Sequence, residues 1–204
     1  VVRGFMRRIG DEIPIAVGEL SILPEHLFAT AVRWVLARAQ EQEGASPGAV
    51  TVAHPADWGQ YRTALLRQAL ADLGLAHVAL ISAPVAAALH YELHEMLDTG
   101  GTFAVFDLGG SGFEATAMAK TSGRTFEVMG RPEQIEQLGG ADFDRAIFEH
   151  VAAGASEVFA GLESAEMQAL WCLRRECSQA KEALSAEVSV SIPVLLPGRT
   201  PRSN

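Results

Sequence analysis

The chain has 204 residues, 49% of them hydrophobic and 20% charged, with a formal net charge of −9, which makes it a globular chain long enough to bury one large or two small cores. The acidic balance disfavours nonspecific nucleic-acid binding, with a short basic start at Arg3, Arg7 and Arg8 as the local exception. No run of about eighteen apolar residues occurs, and residues 1–8 lack the apolar stretch of a secretory signal, so the sequence reads as cytoplasmic with no membrane partner.

The chain starts without methionine, inside an amphipathic basic segment, and stops at a Pro- and Gly-containing tail, 196–204, where a turn is expected to hand on to another element. Both ends read as cuts in a longer protein. Pro24 opens a helix striped with Leu27, Val32, Trp34, Val35, Leu36 and Ala39, which the Gly-Ala-Ser-Pro-Gly run at 44–48 ends. A strand over 49–53 runs into His54-Pro55-Ala56-Asp57-Trp58, and a helix over 59–73 carries Leu65, Leu66, Ala69, Leu70 and Leu73 toward a core before Gly74. A short strand at 78–81 precedes Ser82-Ala83-Pro84, whose proline suits a first helical turn, and the spacing predicts a helix from Val85 to about Met96. After the loop 98–101 come three strands in a meander: one ending near Asp107, one over 113–118 and one over 125–130. A helix is expected from Leu138-Gly139-Gly140-Ala141-Asp142-Phe143-Asp144 to about Ala153, another from about Ser164 to Leu184, and a final strand over 188–194. Two α/β units meeting near residues 98–102 is the economical division. Cys172 and Cys177, five apart on a helix and therefore on different faces, suit reduced thiols better than a staple or a zinc site.

Phe106-Asp107-Leu108-Gly109-Gly110-Ser111-Gly112-Phe113-Glu114 is the segment that carries chemistry. A buried strand delivers a carboxylate to a glycine-rich turn, and a second strand leaves it. Glycines let several backbone N–H groups converge on an anion, and an acidic residue at the strand end can hold magnesium through water. No Gly-Lys-Ser/Thr follows and 113–118 alternates like a strand, so neither the P-loop nor the dinucleotide fingerprint is satisfied. Taken alone, the same segment is also an ordinary hairpin turn.

Four motifs in order then make a likeness: Val50-Thr51-Val52 before Pro55, Ala83-Pro84-Val85-Ala86-Ala87-Ala88-Leu89, the Asp107 hairpin, and Leu138-Gly139-Gly140-Ala141-Asp142-Phe143-Asp144. Together with Cys177-Ser178-Gln179-Ala180-Lys181-Glu182-Ala183-Leu184-Ser185, they resemble the nucleotide-binding domain of the seventy-kilodalton heat-shock (DnaK-type) chaperones, from about Phe5 to Val194. The resemblance implies an α/β, actin-like ATPase (ribonuclease H-like) fold, here an incomplete two-lobe domain that binds ATP or ADP with magnesium. Residues 1–99 would be the rest of the first lobe and 100–204 the start of the second. The family's amino-terminal Asp-x-Gly-Thr hairpin, its adenosine-gripping lobe and its peptide-binding domain would lie elsewhere. Client proteins and co-chaperones are the implied protein partners.

Carried over by position, Asp107 and Glu114 match the carboxylates near magnesium, and Gly109, Gly110, Gly139 and Gly140 match glycines around the phosphates. Ser111 and Gly112 stand where the family has Gly-Thr, and Glu114 where it has aspartate. Ala83 replaces a glutamate that couples the cleft to the partner domain. Met6 aligns with a lysine that stabilises the transferred phosphoryl group, although a slip of one would put Arg7 there. Since one lost electrostatic donor costs about a hundredfold to a thousandfold in rate, weak or absent hydrolysis is expected. The alternative is a nucleotide-independent interaction module on the same scaffold; a sugar-kinase-like or cell-division relative is a weaker reading, against which the Pro-Val-Ala-Ala-Ala and Leu-Gly-Gly-Ala-Asp-Phe-Asp segments argue. His54 reads as a turn histidine, His90 and His94 as solvated, Asp142 as a helix cap, Trp34 and Trp58 as packing residues, and Arg174, Arg175, Glu176, Lys181 and Glu182 as a wet helix face.

Overall fold

The computed structural model describes Val2, residues 4–154 and residues 167–194. By their contacts these form two compact units, Val1–Asp107 with Phe113–Glu136, and Leu108–Gly112 with Gln137–Asn204.

The first unit opens with a 3-10 turn, Phe5–Arg8, and a small hairpin of β1 (Ile15–Val17) and β2 (Leu20–Ile22). The long helix α1 (Pro24–Glu43) starts on Pro24, whose missing N–H is harmless there, and ends where Gly44 takes φ 72°. β3 (Thr51–His54) and β4 (Ala79–Ser82) pair in parallel, as the crossover helix α2 (Gln60–Asp72) between them requires. Ile9, Ala29, Trp58, Leu66, Ala69, Leu70 and Val78 form the core beneath them. Burying residues such as Leu66 and Leu70 stabilises the unit by about 1.5–3 kcal/mol each. Helix α3 (Ala83–Tyr91) follows, then β5 (Thr102–Leu108), β6 (Phe113–Ser122) and β7 (Thr125–Ile135), in sheet order β5-β6-β7. Ala88 of α3, Met118 and Phe126 make a second core, with Val85, Leu89, Phe103 and Val105 against it. This shared core is why the meander groups by contact with the helices before it.

The second unit holds the turn after β5, helix α4 (Gly140–Gly154) and helix α5 (Met167–Ala183). Leu173, Cys177 and Ala180 are its buried residues on α5. No helix among the described residues is long and apolar enough to cross a membrane.

Several expectations change. Helix α3 stops at Tyr91 rather than near Met96, because Glu92 turns inward to pair with Lys120, whose ammonium also donates to Leu97 O at 2.8 Å. β7 continues past Gly130: the ladder shifts register between Ala115 and Ala117, Gly130 takes φ 70°, and alternation resumes to Ile135. The strand expected over 188–194 is absent but for an isolated bridge at Val194, with Val188 fully exposed. Trp34 and Val35 face solvent, whereas Trp58 is core. The β1–β2 hairpin went unread, although Gly18, at φ 64°, marks its turn between two apolar alternations. The start of the helix expected from Ser164, and the tail 196–204, lie outside the described residues.

Candidate functional site

In the second unit, the glycine turn is closed by Gly109 N–H donating to Gly112 O at 2.9 Å. Helix α4 begins against it: Gly140 N–H donates to Gly109 O at 3.0 Å and Ala141 N–H to Gly110 O at 2.9 Å. Gly139 is buried, and a Cβ there would stand 2.6 Å from Gly112 N and 2.8 Å from Ser111 N, so close approach is what demands glycine. Asp142 accepts from Gly139 N–H at 3.0 Å, the return half of a capping box, which satisfies the capping expectation from inside the helix. The first amides of α4 are therefore spent on the turn. Those of Gly110, Ser111 and Gly112 donate to no acceptor among the described residues. Gly110 is exposed, with open space where a side chain would stand.

In the first unit, Asp107 is exposed, and its carboxylate makes no hydrogen bond or ion pair among the described residues. Glu114 is buried, and its carboxylate accepts from Ala56 N–H at 2.8 Å and from Thr116 Oγ1 at 3.2 Å. The Ala56 turn is itself ordered. His54 Nδ1 donates to Pro55 O at 2.8 Å, as suits a turn histidine, and its ring stacks on Trp58 at 5.9 Å. Burial holds the Asp57 carboxyl above its usual range, against the lowering effect of Arg62, whose guanidinium lies 3.7 Å away. Ala83 is the first residue of α3, and Met6 lies partly buried against the first core. His90 and His94 meet edge to face at 5.3 Å.

One functional candidate escaped the sequence reading. Lys181 is not on a wet face: its ammonium lies 2.7 Å from the Asp144 carboxylate and donates to Gly140 O at 3.1 Å. Ser178 Oγ donates to Asp144 as well, at 3.1 Å. The signal was spacing, since Leu173 and Cys177 mark the buried stripe of α5 and Lys181 falls one turn further along it. Arg174 likewise lies over the Phe148 ring, 4.7 Å from its centroid. Burial, with Asp144 and Glu176 nearby, pushes the Cys177 thiol up; Cys172 and Cys177 are both free. A groove of about 380 Å³ runs beside α2 at Arg67, Gln68 and Leu75, and no predicted site residue lines it.

Comparison with known proteins bears on this arrangement. The Hsp70 protein family matches residues 10–199. Heat shock 70 kDa protein BIP3 of Oryza sativa subsp. japonica is 30% identical over 183 residues, 89% of this chain and 27% of that protein. A chaperone protein HscA homolog of Shewanella denitrificans is 31% identical over 178 residues, 87% of this chain and 27% of its own length. One from Burkholderia pseudomallei is 32% identical over 175 residues, 85% of this chain and 27% of its own. The chain thus spans about a quarter of the length of these relatives. With the family matched over nearly all its residues and a mixed α/β architecture to go with it, the chain belongs to the Hsp70 family, as part of the nucleotide-binding domain with its actin-like ATPase fold.

Proposed function

We propose that this chain supplies the phosphate and magnesium side of an adenine-nucleotide site, with hydrolysis weak or absent. The unspent amides of Gly110, Ser111 and Gly112 carry the reading. Three consecutive N–H groups without a protein acceptor, the first of them on exposed Gly110, are the donors an anion would take, and in a chain of net charge −9 that attraction must be local. Gly109, Gly139 and Gly140 support these donors rather than join them: their close contacts hold the turn against the start of α4.

Magnesium, when bound with a triphosphate, neutralises charge on it. Asp107, whose exposed carboxylate has no partner among the described residues, would hold the ion, whereas the carboxylate of Glu114 is buried and already accepts from Ala56 N–H and Thr116 Oγ1. Lys181, paired with Asp144 and donating to Gly140 O, holds an ammonium beside the start of α4 within a neutral ion pair. The chain then binds and orients phosphate oxygens. Hydrolysis asks for more. Ala83 offers a methyl group where the family has a carboxylate, and Met6 packs into the core where it has an ammonium, so two polar contributions to the transition state are missing. On this reading residues 1–99 complete the first lobe and 100–204 begin the second, with client proteins or co-chaperones as partners of the whole protein and the cytoplasm as its compartment.

Calorimetric titration with ATP and magnesium, alongside Asp107→Asn, tests the proposal. Magnesium-dependent binding that weakens in the variant is expected. No heat at millimolar ligand, in this chain and in a longer polypeptide carrying the Asp-x-Gly-Thr hairpin, would refute it. The Ser111-Gly112, Ala83 and Met6 departures also support a second reading, a nucleotide-independent interaction module, under which a captured partner stays bound with ATP, ADP or neither.

A further inference from the structure

Glu114 and Gln134 are direct register partners on β6 and β7, and both reach the same turn. Glu114 accepts from Ala56 N–H at 2.8 Å, and Gln134, with its amide nitrogen toward Asp57 as the acceptor there requires, donates to Oδ1 at 3.0 Å. Ala56 and Asp57 sit between Pro55 and the buried Trp58, so two side chains from one rung of the meander clasp the turn that leads from β3 to α2. Nothing local in the turn demands a carboxylate there. The amide of Ala56 does, because a partly buried N–H left without an acceptor is costly and no other acceptor among the described residues takes it.

We propose that Glu114 is a positioning residue rather than a metal ligand: its carboxylate fastens the strand that leaves the glycine turn to the turn that leaves β3. This rests on the nucleotide reading only for its consequence, which is that ordering of the glycine turn by a phosphate is felt at Ala56 and Trp58. Reach is what the role needs. Glutamate is one methylene longer than the aspartate of the resembling family, and shortening it by about 1.5 Å would take the oxygen beyond hydrogen-bond distance of Ala56 N–H.

Two variants separate reach from charge. Glu114→Gln keeps the reach and an acceptor oxygen but loses the charge; Glu114→Asp keeps the charge and loses the reach. Amide exchange at Ala56 in the ligand-free chain should be about as slow in Glu114→Gln as in the parent, and about tenfold or more faster in Glu114→Asp. The reverse order, or equal protection in all three, overturns the proposal. Trp58 fluorescence, read with Trp34 and Trp171 changed to Phe, should respond to magnesium ATP in the parent and in Glu114→Gln but not in Glu114→Asp. Loss of magnesium dependence in Glu114→Gln would overturn the proposal in favour of a ligand role. If the parent binds no nucleotide, the functional reading fails, while exchange at Ala56 still decides the positioning role.

Discussion

Gly139→Ala puts a methyl group where three backbone atoms already stand: Gly112 N at 2.6 Å and Ser111 N and C at 2.8 Å. None of these is the tip of a flexible side chain, so the strain is relieved only by moving the glycine turn off the start of α4. Overpacking of this kind costs about 1–3 kcal/mol. Alanine is also a poorer residue than glycine before a helix, which adds a few tenths of a kcal/mol. A total of about 2 kcal/mol corresponds to a fall of about 4–8 °C in melting temperature for a chain of this size. Gly110→Ala is the control, because its Cβ meets nothing within 4 Å and its backbone is not left-handed. Scanning calorimetry of the three proteins should show Gly139→Ala melting well below the parent, with Gly110→Ala within about 0.5 kcal/mol of it. Melting of Gly139→Ala together with the parent would refute the packing of the turn on α4, and with it the shape given to the anion site.

Lys120→Met should cost about 3 kcal/mol, measured by urea unfolding, because it leaves the Glu92 carboxylate, about nine-tenths buried, with the exposed Arg124 guanidinium at 3.7 Å as its remaining cation. Adding Glu92→Gln should recover part of that loss. Cys177 should resist alkylation in the native chain while Cys172, partly exposed, reacts. Its raised folded-state value means that its contribution to stability is full below the free thiol's 9.0 and is lost as pH rises beyond it, so Cys177→Ser should flatten the alkaline end of the stability profile. Ala83→Glu, which restores a carboxylate at the first residue of α3, should raise any phosphate release by tenfold or more in a steady-state assay. An unchanged rate would mean that Ala83 is not what limits hydrolysis.

Much of this was legible in the sequence because periodicity and punctuation agreed. Pro24 and Gly44 bracket α1, the stripe Leu66, Ala69 and Leu70 faces the core, and the hairpin around Asp107 has its strands where alternation puts them. What escaped was set by partners distant in the chain. Helix α3 ends early for the sake of an ion pair with Lys120, twenty-eight positions on, which no local pattern announces. Lys181 looked solvated because its neighbours Arg174 and Arg175 are charged, yet Asp144 and Gly140 O draw it inward. The run from 188 to 194 has strand-like residues, but a strand needs a neighbour to bond. At the site, the glycines were readable as a turn. Which amides the turn leaves unspent was not, since that depends on α4 returning two of its own to Gly109 and Gly110.

Amide shifts of Gly110, Ser111 and Gly112, followed by NMR in the isotope-labelled chain as magnesium ATP is added, test the central claim most directly. These three amides should move together and saturably, far more than Gly109, Gly140 and Ala141, and should move less in Asp107→Asn. Shifts confined to other residues, or none up to millimolar ligand, would contradict it.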